Sequence, residues 1–424
     1  MKKIIAISLA CFFYATSSFG ITLDFYHLWP KGGPSMVDEI LWDATKQFEE
    51  ENPGITINWM VDGHDQWAIK SKAMYTSGDV PHVMATQPAD FDAFKEQKMF
   101  IRLNDLIEND PDWGVIPGSY KTIYDPEDGG IYGIAFSGYF EFVYYNQRLF
   151  DENGLEYPKT WDELLNVVDT FVAAGIIPFA TAGKDAWPIS IQSHYLMDRE
   201  MGFDYFYDSL KTGKRENTWD NPGYVSAFDR LAELGKRGAF GDDVLSLGYG
   251  DAGNLFYTEQ AAMYLQGSWE INGISDLDIA DNIQVGNYVS IPGGKGDQTA
   301  VTRGYGKSFA VASGLPEEEE KAAIKFLKHI TSKEVALAMY EAGGELTGTN
   351  LPDGATPKAK RLMTAHFDVF NAAGSSWAAY GEFTLPKMYA EWDRVGQQLV
   401  AGQIDGKAAA KYLEEQRLKI HYNE

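Results

Sequence analysis

Between residues 21 and 61 the apolar pattern changes its period twice, and that alternation restricts the fold more than any other feature of the chain. Leu23, Phe25 and His27 face one way, with Tyr26 and Leu28 on the other, as in a strand. Trp29-Pro30-Lys31-Gly32-Gly33-Pro34 then reads as a loop, and Ser35 is placed to cap a helix. Met36, Ile40, Leu41, Ala44 and Phe48 recur at helical spacing until Asn52-Pro53-Gly54 stops the helix. Ile55, Ile57, Trp59 and Val61 alternate again. Strand, helix and strand with short connections favour a parallel pair. Ligands of such sheets lie beyond the carboxyl ends of the strands, which puts the loops at Trp29 and at His64-Asp65-Gln66-Trp67 on one edge.

A chain of 424 residues exceeds one ordinary core, so two domains are expected. Lys2 and Lys3, an apolar stretch from Ile4 to Tyr14 and Ser18-Phe19-Gly20 together read as a signal peptide cut before Ile21. The apolar stretch is too short to span a bilayer. A lipoprotein signal ending at Cys11 is the less favoured alternative, because few residues precede the cysteine and Ser8 stands where an aliphatic residue is usual. Cys11 is the only cysteine, so the exported chain has to rely on a packed core instead of disulfides. Loss of Lys2 and Lys3 leaves 34 basic against 61 acidic residues, a net charge of −27. That field repels nucleic acid and anionic lipid, and makes a strongly anionic ligand less favourable.

Further along, Gly129-Gly130 precedes a boundary near residues 131–146. Thr160 and Glu163 have the spacing of a capping box. Glu317 to Glu320 follow Pro316 and suit the first turn of a helix through Ala323, Ile324, Phe326, Leu327 and Ile330. Gly248-Tyr249-Gly250-Asp251-Ala252-Gly253 fits G-x-G-x-x-G, but it does not open the first strand–helix unit, so a ligand-lining loop is preferred to a dinucleotide site. The seven histidines lack zinc spacing, and Asp125, Asp128 and Gly129 make only part of a calcium loop. No cofactor and no metal are expected. Asp65, Asp90, Glu141 and Glu270 lie near aromatics, which keeps a glycoside-active enzyme as the leading catalytic alternative.

Several segments resemble the family 1 extracellular solute-binding proteins of ABC importers, the group containing maltose- and glucose-binding proteins. Phe48-Glu49-Glu50-Glu51-Asn52-Pro53-Gly54-Ile55 is similar to the family's F-E-x-x-x-P-G-I turn. Ser77-Gly78-Asp79-Val80-Pro81-His82-Val83 is similar to G-D-x-P-D-V, with His82 replacing the usual Asp. Tyr132-Gly133-Ile134-Ala135 and Tyr144-Tyr145-Asn146-Gln147-Arg148-Leu149-Phe150 resemble its inter-lobe crossing. Gly154-Leu155 with Pro158-Lys159-Thr160-Trp161-Asp162-Glu163-Leu164, and Ala261-Ala262-Met263-Tyr264-Leu265-Gln266-Gly267-Ser268-Trp269-Glu270, complete the series. The order and spacing of these matches over residues 21–424 carry the resemblance.

The resemblance implies an α/β, two-lobed periplasmic-binding-protein fold. Each lobe is a central sheet flanked by helices, with a cleft and hinge between them. Residues 21–135 plus 303–345 are expected in lobe one, and 136–302 plus 346–424 in lobe two. The implied function is capture of a sugar or small oligosaccharide by hinge closure and delivery to the permease subunits of an inner-membrane ABC importer, without catalysis. The protein is expected to be a periplasmic monomer. The same fold with a polyamine or other cationic ligand remains an alternative.

A sugar ring offers a C–H face to aromatic rings and a rim of hydroxyls to carboxylates, amides and imidazoles. Loop residues of those types are the candidate ligand contacts: Trp29, His64, Trp67, Gln87, Asp90, Ser137, Tyr139, Trp187, Tyr249, Asp251, Trp269, Glu270, Arg303, Tyr305, Trp377 and Tyr380. For Trp29 and Trp67 packing is the competing role, and for Asp90 helix capping. Trp269 leads because family members place this tryptophan under the sugar. Trp42, Trp59, Trp161 and Trp392 lie in helix or strand patterns and are expected to pack.

Overall fold

A computed structural model describes residues 20–32, 36–116, 119, 129–210, 217–342, 346–356, 358–380 and 386–422. The leader with Cys11, the Ser35 cap and Asp125 and Asp128 lie outside the described residues, as does the side chain of Asp65. The strands are β1 (Ile21–His27), β2 (Ile55–Val61), β3 (Val83–Thr86), β4 (Ile134–Asn146), β5 (Ile177–Phe179), β6 (Ala261–Gly267), β7 (Ile283–Gly286), β8 (Val301–Val311) and β9 (Ser376–Trp377).

β1 pairs in parallel with β2 in register from Ile21↔Ile55 to His27↔Val61, as the strand–helix–strand order with short connections favoured. The helix between them, Val37–Glu51, buries Leu41, Ala44 and Phe48. It starts after Met36, which takes a left-handed conformation (φ 56°). Glu49 near its end accepts the Ile57 backbone N–H at 2.9 Å, tying the helix to β2. His64, expected in a loop, instead opens the helix His64–Ser77 behind Gly63.

The strands form one hydrogen-bonded path, β2-β1-β3-β8-β4-β6-β5, with β7 on β4 and β9 on β8. β4 and β8 are long antiparallel partners that run between two large cores. The first core gathers Leu23, Phe25, Trp67, Phe94, Phe309 and Phe326 around the β1–β3 half. The second gathers Phe150, Trp161, Phe171, Tyr195, Trp219 and Trp392 around the opposite half. Their ladder slips register on either side of Ser137. Gly138 next to the slip has no room for a side chain: a Cβ would stand 2.8 Å from the Leu346 carbonyl oxygen and 3.0 Å from the Tyr305 ring. An irregularity of this kind bends a strand locally, here where the chain passes from one core to the other.

Two of the helix-start signals hold. Thr160 and Glu163 make the reciprocal box on helix Trp161–Ala173, and Glu317 to Glu320 occupy the first turn of Glu317–Ile330. Trp161 and Trp392 are buried. Trp42 is 47% exposed, edge-on to Trp59 with the Lys46 ammonium over its ring. Among the described residues no helix is long and apolar enough to cross a membrane.

Candidate ligand-binding site

β6 delivers its last residue, Gly267, into the short turn Ser268–Glu270, and the Trp269 indole folds back over it. A Cβ on Gly267 would lie 2.2 Å from the ring, so the glycine is what allows the indole to lie there. Trp269 is half-buried and meets the Tyr139 ring edge-on at 5.9 Å. The Tyr139 hydroxyl in turn accepts the Ala379 backbone N–H at 3.0 Å.

The G-x-G-x-x-G segment opens the helix Tyr249–Tyr257. Its first N–H groups are met by the protein's own carboxylates. Asp251 accepts from Gly248 at 3.2 Å and Asp185 from Tyr249 at 2.6 Å. Acidic groups are favourable at a helix N-terminus. The helix projects the half-buried Tyr249 ring towards Trp269, whose indole N–H donates to the Tyr249 hydroxyl at 2.9 Å. The Tyr249 and Tyr257 hydroxyls hydrogen-bond the two carboxyl oxygens of Glu270. Glu270 is fully buried, and burial pushes its pKa up to about 8.

Trp187 begins the helix Trp187–Met201, with Pro188 in its first turn. The preceding Ala186 has φ 61° and ψ −46°, and the Trp187 N–H donates to the Asp185 carbonyl at 2.7 Å. This is a three-residue turn of the strained, positive-φ kind. It presents the Trp187 ring 5.5 Å from Tyr249, inclined at 33°, and 6.1 Å from Trp269. Trp187, Tyr249 and Trp269 thus form one aromatic wall, with Tyr139 at its edge.

Facing this wall from the first half of the molecule, His64 lies 6.5 Å from Trp187 and 6.1 Å from Trp67. Trp67 is fully buried, with the Lys307 ammonium 5.6 Å from its ring centroid. The Gln87 amide donates to Asp90 at 2.9 Å. Burial raises the Asp90 pKa, against the lowering effect of Gln87, Lys72 and Lys307.

The remaining candidates make different contacts. Trp29 is 8% exposed and packs edge-on against Phe136 and Phe309 in the first core. Ser137 is buried at the register slip. Arg303 is exposed, with its guanidinium 5.5 Å from the Phe370 ring centroid. The Tyr305 ring lies against Gly138. Trp377 and Tyr380 are inside the second core, where Tyr380 stacks on Phe206 at 3.8 Å.

The structure also brings forward residues that the sequence reading did not select. Asp185 sits in the same loop as Trp187, so its position beside a candidate was a usable signal. Asp393 had none, being one polar residue on a helix. Its carboxylate accepts from the Ser190 hydroxyl, one turn after Trp187. Burial raises its pKa to about 7, while Ser190 and Lys72 lower it. Lys72, on the helix that begins with His64, therefore acts on carboxylates of both halves. Among the described residues no group of three or more His, Cys, Asp or Glu is arranged to hold a metal ion. An aromatic wall opposite polar and charged groups can hold a molecule that has one apolar face and a hydroxylated rim.

Residues 33–337 match the model of the bacterial extracellular solute-binding proteins. The chain is 24% identical over 318 residues to a multiple sugar-binding protein of Streptococcus mutans, covering 73% of this chain and 71% of that one. Relatives from Pyrococcus horikoshii and Brucella melitensis are matched over 54% and 52% of their own lengths. Among solved structures, a chitin oligosaccharide binding protein superposes with a TM-score of 0.85 at 25% identity, covering 94% of this chain and 98% of that one. A protein studied for xylan utilization by Caldanaerobius polysaccharolyticus also gives 0.85, at 24% identity and covering 93% and 100% of the two chains. The fold is therefore the two-lobed one of these binding proteins. With most of its length matched by the family model, the chain belongs to the bacterial extracellular solute-binding proteins.

Proposed function

We propose that this protein captures a sugar or small oligosaccharide between its two lobes and hands it to the permease subunits of an ABC importer. The observation that carries this reading is the wall of Trp187, Tyr249 and Trp269, opposed by His64 from the other half. Aromatic ring faces suit the C–H face of a pyranose, and unpaired buried hydroxyls would each cost about 1–3 kcal/mol, so the polar groups around the wall have to meet the sugar's rim. The names of the multiple sugar-binding and chitin oligosaccharide binding proteins point the same way.

The lobes are residues 21–135 plus 303–345 and 136–302 plus 346–424, with β4 and β8 as the crossings. Ligand that touches both lobes only when they are closed shifts the population towards closure. The leader is removed before Ile21, where β1 begins, and the product is a periplasmic monomer that binds neither nucleic acid nor cofactor. Catalysis is not required. Calorimetric titration with a panel of mono- and oligosaccharides tests the reading: saturable binding without turnover is expected, and silence across the panel would reject a sugar ligand. Product released from an oligosaccharide would instead favour a glycoside-active enzyme. Mass spectrometry of ligand co-purified from native periplasm would name the sugar.

A further inference from the structure

Glu270 follows the principal tryptophan of the site, yet its carboxyl is turned away from the cleft. It is fully buried, and its two oxygens are taken by the hydroxyls of Tyr249 and Tyr257, both from one helix. Tyr249 also holds the Trp269 indole N–H. The result is a chain from Tyr257 through Glu270 and Tyr249 to Trp269. It joins the helix Tyr249–Tyr257 to the turn after β6 and fixes two of the three rings of the wall. The polar tips of both rings are used inside the protein. Trp269 and Tyr249 are left to offer their faces to a ligand.

We propose that Glu270 is the positioning residue of this wall: its buried carboxyl clamps Tyr249 and Tyr257 and, through Tyr249, sets the Trp269 ring, without itself touching the ligand. The proposal rests on the reading of the wall as the ligand platform. A half-satisfied buried network is costly, so both ends of the clamp have to be closed for the ring to stay in place. The titratable groups around the carboxyl are phenols: Tyr249 and Tyr257 from the helix, Tyr144 from β4, and Tyr264 from β6 behind Tyr257 and Tyr144. His366 lies against Tyr144 and is held neutral by burial. Asp185 and Asp251 sit at the helix N-terminus, and Lys360 contacts Asn272 on the far side of the turn. In these surroundings burial keeps the carboxyl protonated at neutral pH. A protonated carboxyl can accept from one tyrosine and donate to the other.

The test labels the protein with 5-fluorotryptophan, follows the fluorine resonance of Trp269 without ligand, and assigns it with Trp269→Phe. In the wild type this resonance should shift with a midpoint near pH 8. Glu270→Gln should keep its neutral-pH position and abolish the titration. Glu270→Leu should displace and broaden it, and Tyr257→Phe, which opens one end of the clamp, should do so in part. Binding of chitotriose and xylotriose, measured by calorimetry, should weaken about tenfold in Glu270→Leu and by less than about threefold in Glu270→Gln. An unmoved Trp269 resonance in Glu270→Leu would overturn the clamp. So would a Glu270→Gln variant that loses binding as completely as Glu270→Leu with its resonance in place, because that marks a direct ligand contact. A displaced resonance with neither trisaccharide bound by the wild type upholds the clamp and excludes these two trisaccharides as ligands, leaving the sugar reading to the full panel.

Discussion

The rings of His64 and Trp187 approach to 6.5 Å between centroids, although one opens a helix beside the first core and the other opens a helix in the second. This ring contact joins the aromatic wall to the opposite half of the molecule. A ligand seated on the wall would bring His64 against its outer face. His64→Ala should therefore weaken ligand binding by about 1–2 kcal/mol, the cost of losing one well-placed contact at a closed interface. It should leave the melting temperature nearly unchanged, because His64 is exposed. Calorimetry paired with small-angle scattering checks this. Wild-type affinity together with wild-type compaction on binding would remove His64 from the site.

Trp269→Ala should cost about 2–4 kcal/mol of affinity if the indole is a stacking platform. Gly267→Ala reaches the same ring by another route. The new methyl would overlap the indole, which then has to leave its place above the strand. Weaker binding is expected there with Trp269 itself intact, along with about 1–3 kcal/mol of lost stability from overpacking. Normal affinity in both variants would place the ligand elsewhere.

Ala186→Gly relieves a backbone conformation that an alanine adopts only under strain. Removal of the Cβ should raise stability by roughly 1 kcal/mol, net of the greater freedom glycine has in the unfolded chain. The same change loosens the turn that aims Trp187, so affinity should fall while the melting temperature rises. A variant that gains stability and keeps full affinity would show that the strained turn has no part in binding.

Stability should depend on pH in two opposed ways. Burial lowers the pKa of His27, His194 and His366 to about 3 from 6.5. Their contribution is complete above pH 6.5 and is lost as pH falls towards 3. Burial raises Glu270 from 4.5 to about 8 and Asp393 from 3.8 to about 7. Their contribution is complete below those ordinary values and is lost as pH rises towards 7 or 8. Each group changes the slope by at most about 1.4 kcal/mol per pH unit. Melting temperatures should fall as pH drops below 6.5, most steeply below about 4.5 where the two carboxyls no longer oppose the histidines, and should fall again between pH 6.5 and 8. His194→Phe should flatten the acid limb and Glu270→Gln the alkaline one. A melting temperature that climbs steadily from pH 6.5 to 8 would contradict buried, protonated carboxyls.

The parallel β1–β2 pair, the helix between them, the Thr160 capping box and the acidic start of Glu317–Ile330 were all legible in the residue pattern. Each rests on neighbours within a few turns or one strand–helix–strand unit, where periodicity and capping chemistry act locally. The order of short segments along the chain was enough to indicate the family. The candidate site was only partly legible. The loops carrying Trp187, Tyr249 and Trp269 were visible as aromatics beside polar residues, and folding brings those three rings together.

Composition does not say which way an aromatic points. Trp377 and Tyr380 have the same loop character as Trp187, yet Phe206, Tyr195 and Trp392 enclose them. Asp393 carries no local mark at all and meets Ser190 only because its helix packs beside the one that starts at Trp187. Glu270 looks in sequence like a hydroxyl reader beside a stacking ring. Two tyrosines from a separate helix turn its carboxyl inward. Local elements follow from the pattern because their forces act between near neighbours in the chain. The roles of Glu270, Asp393 and Tyr380 depend on contacts between elements far apart in the chain, and only packing decides those.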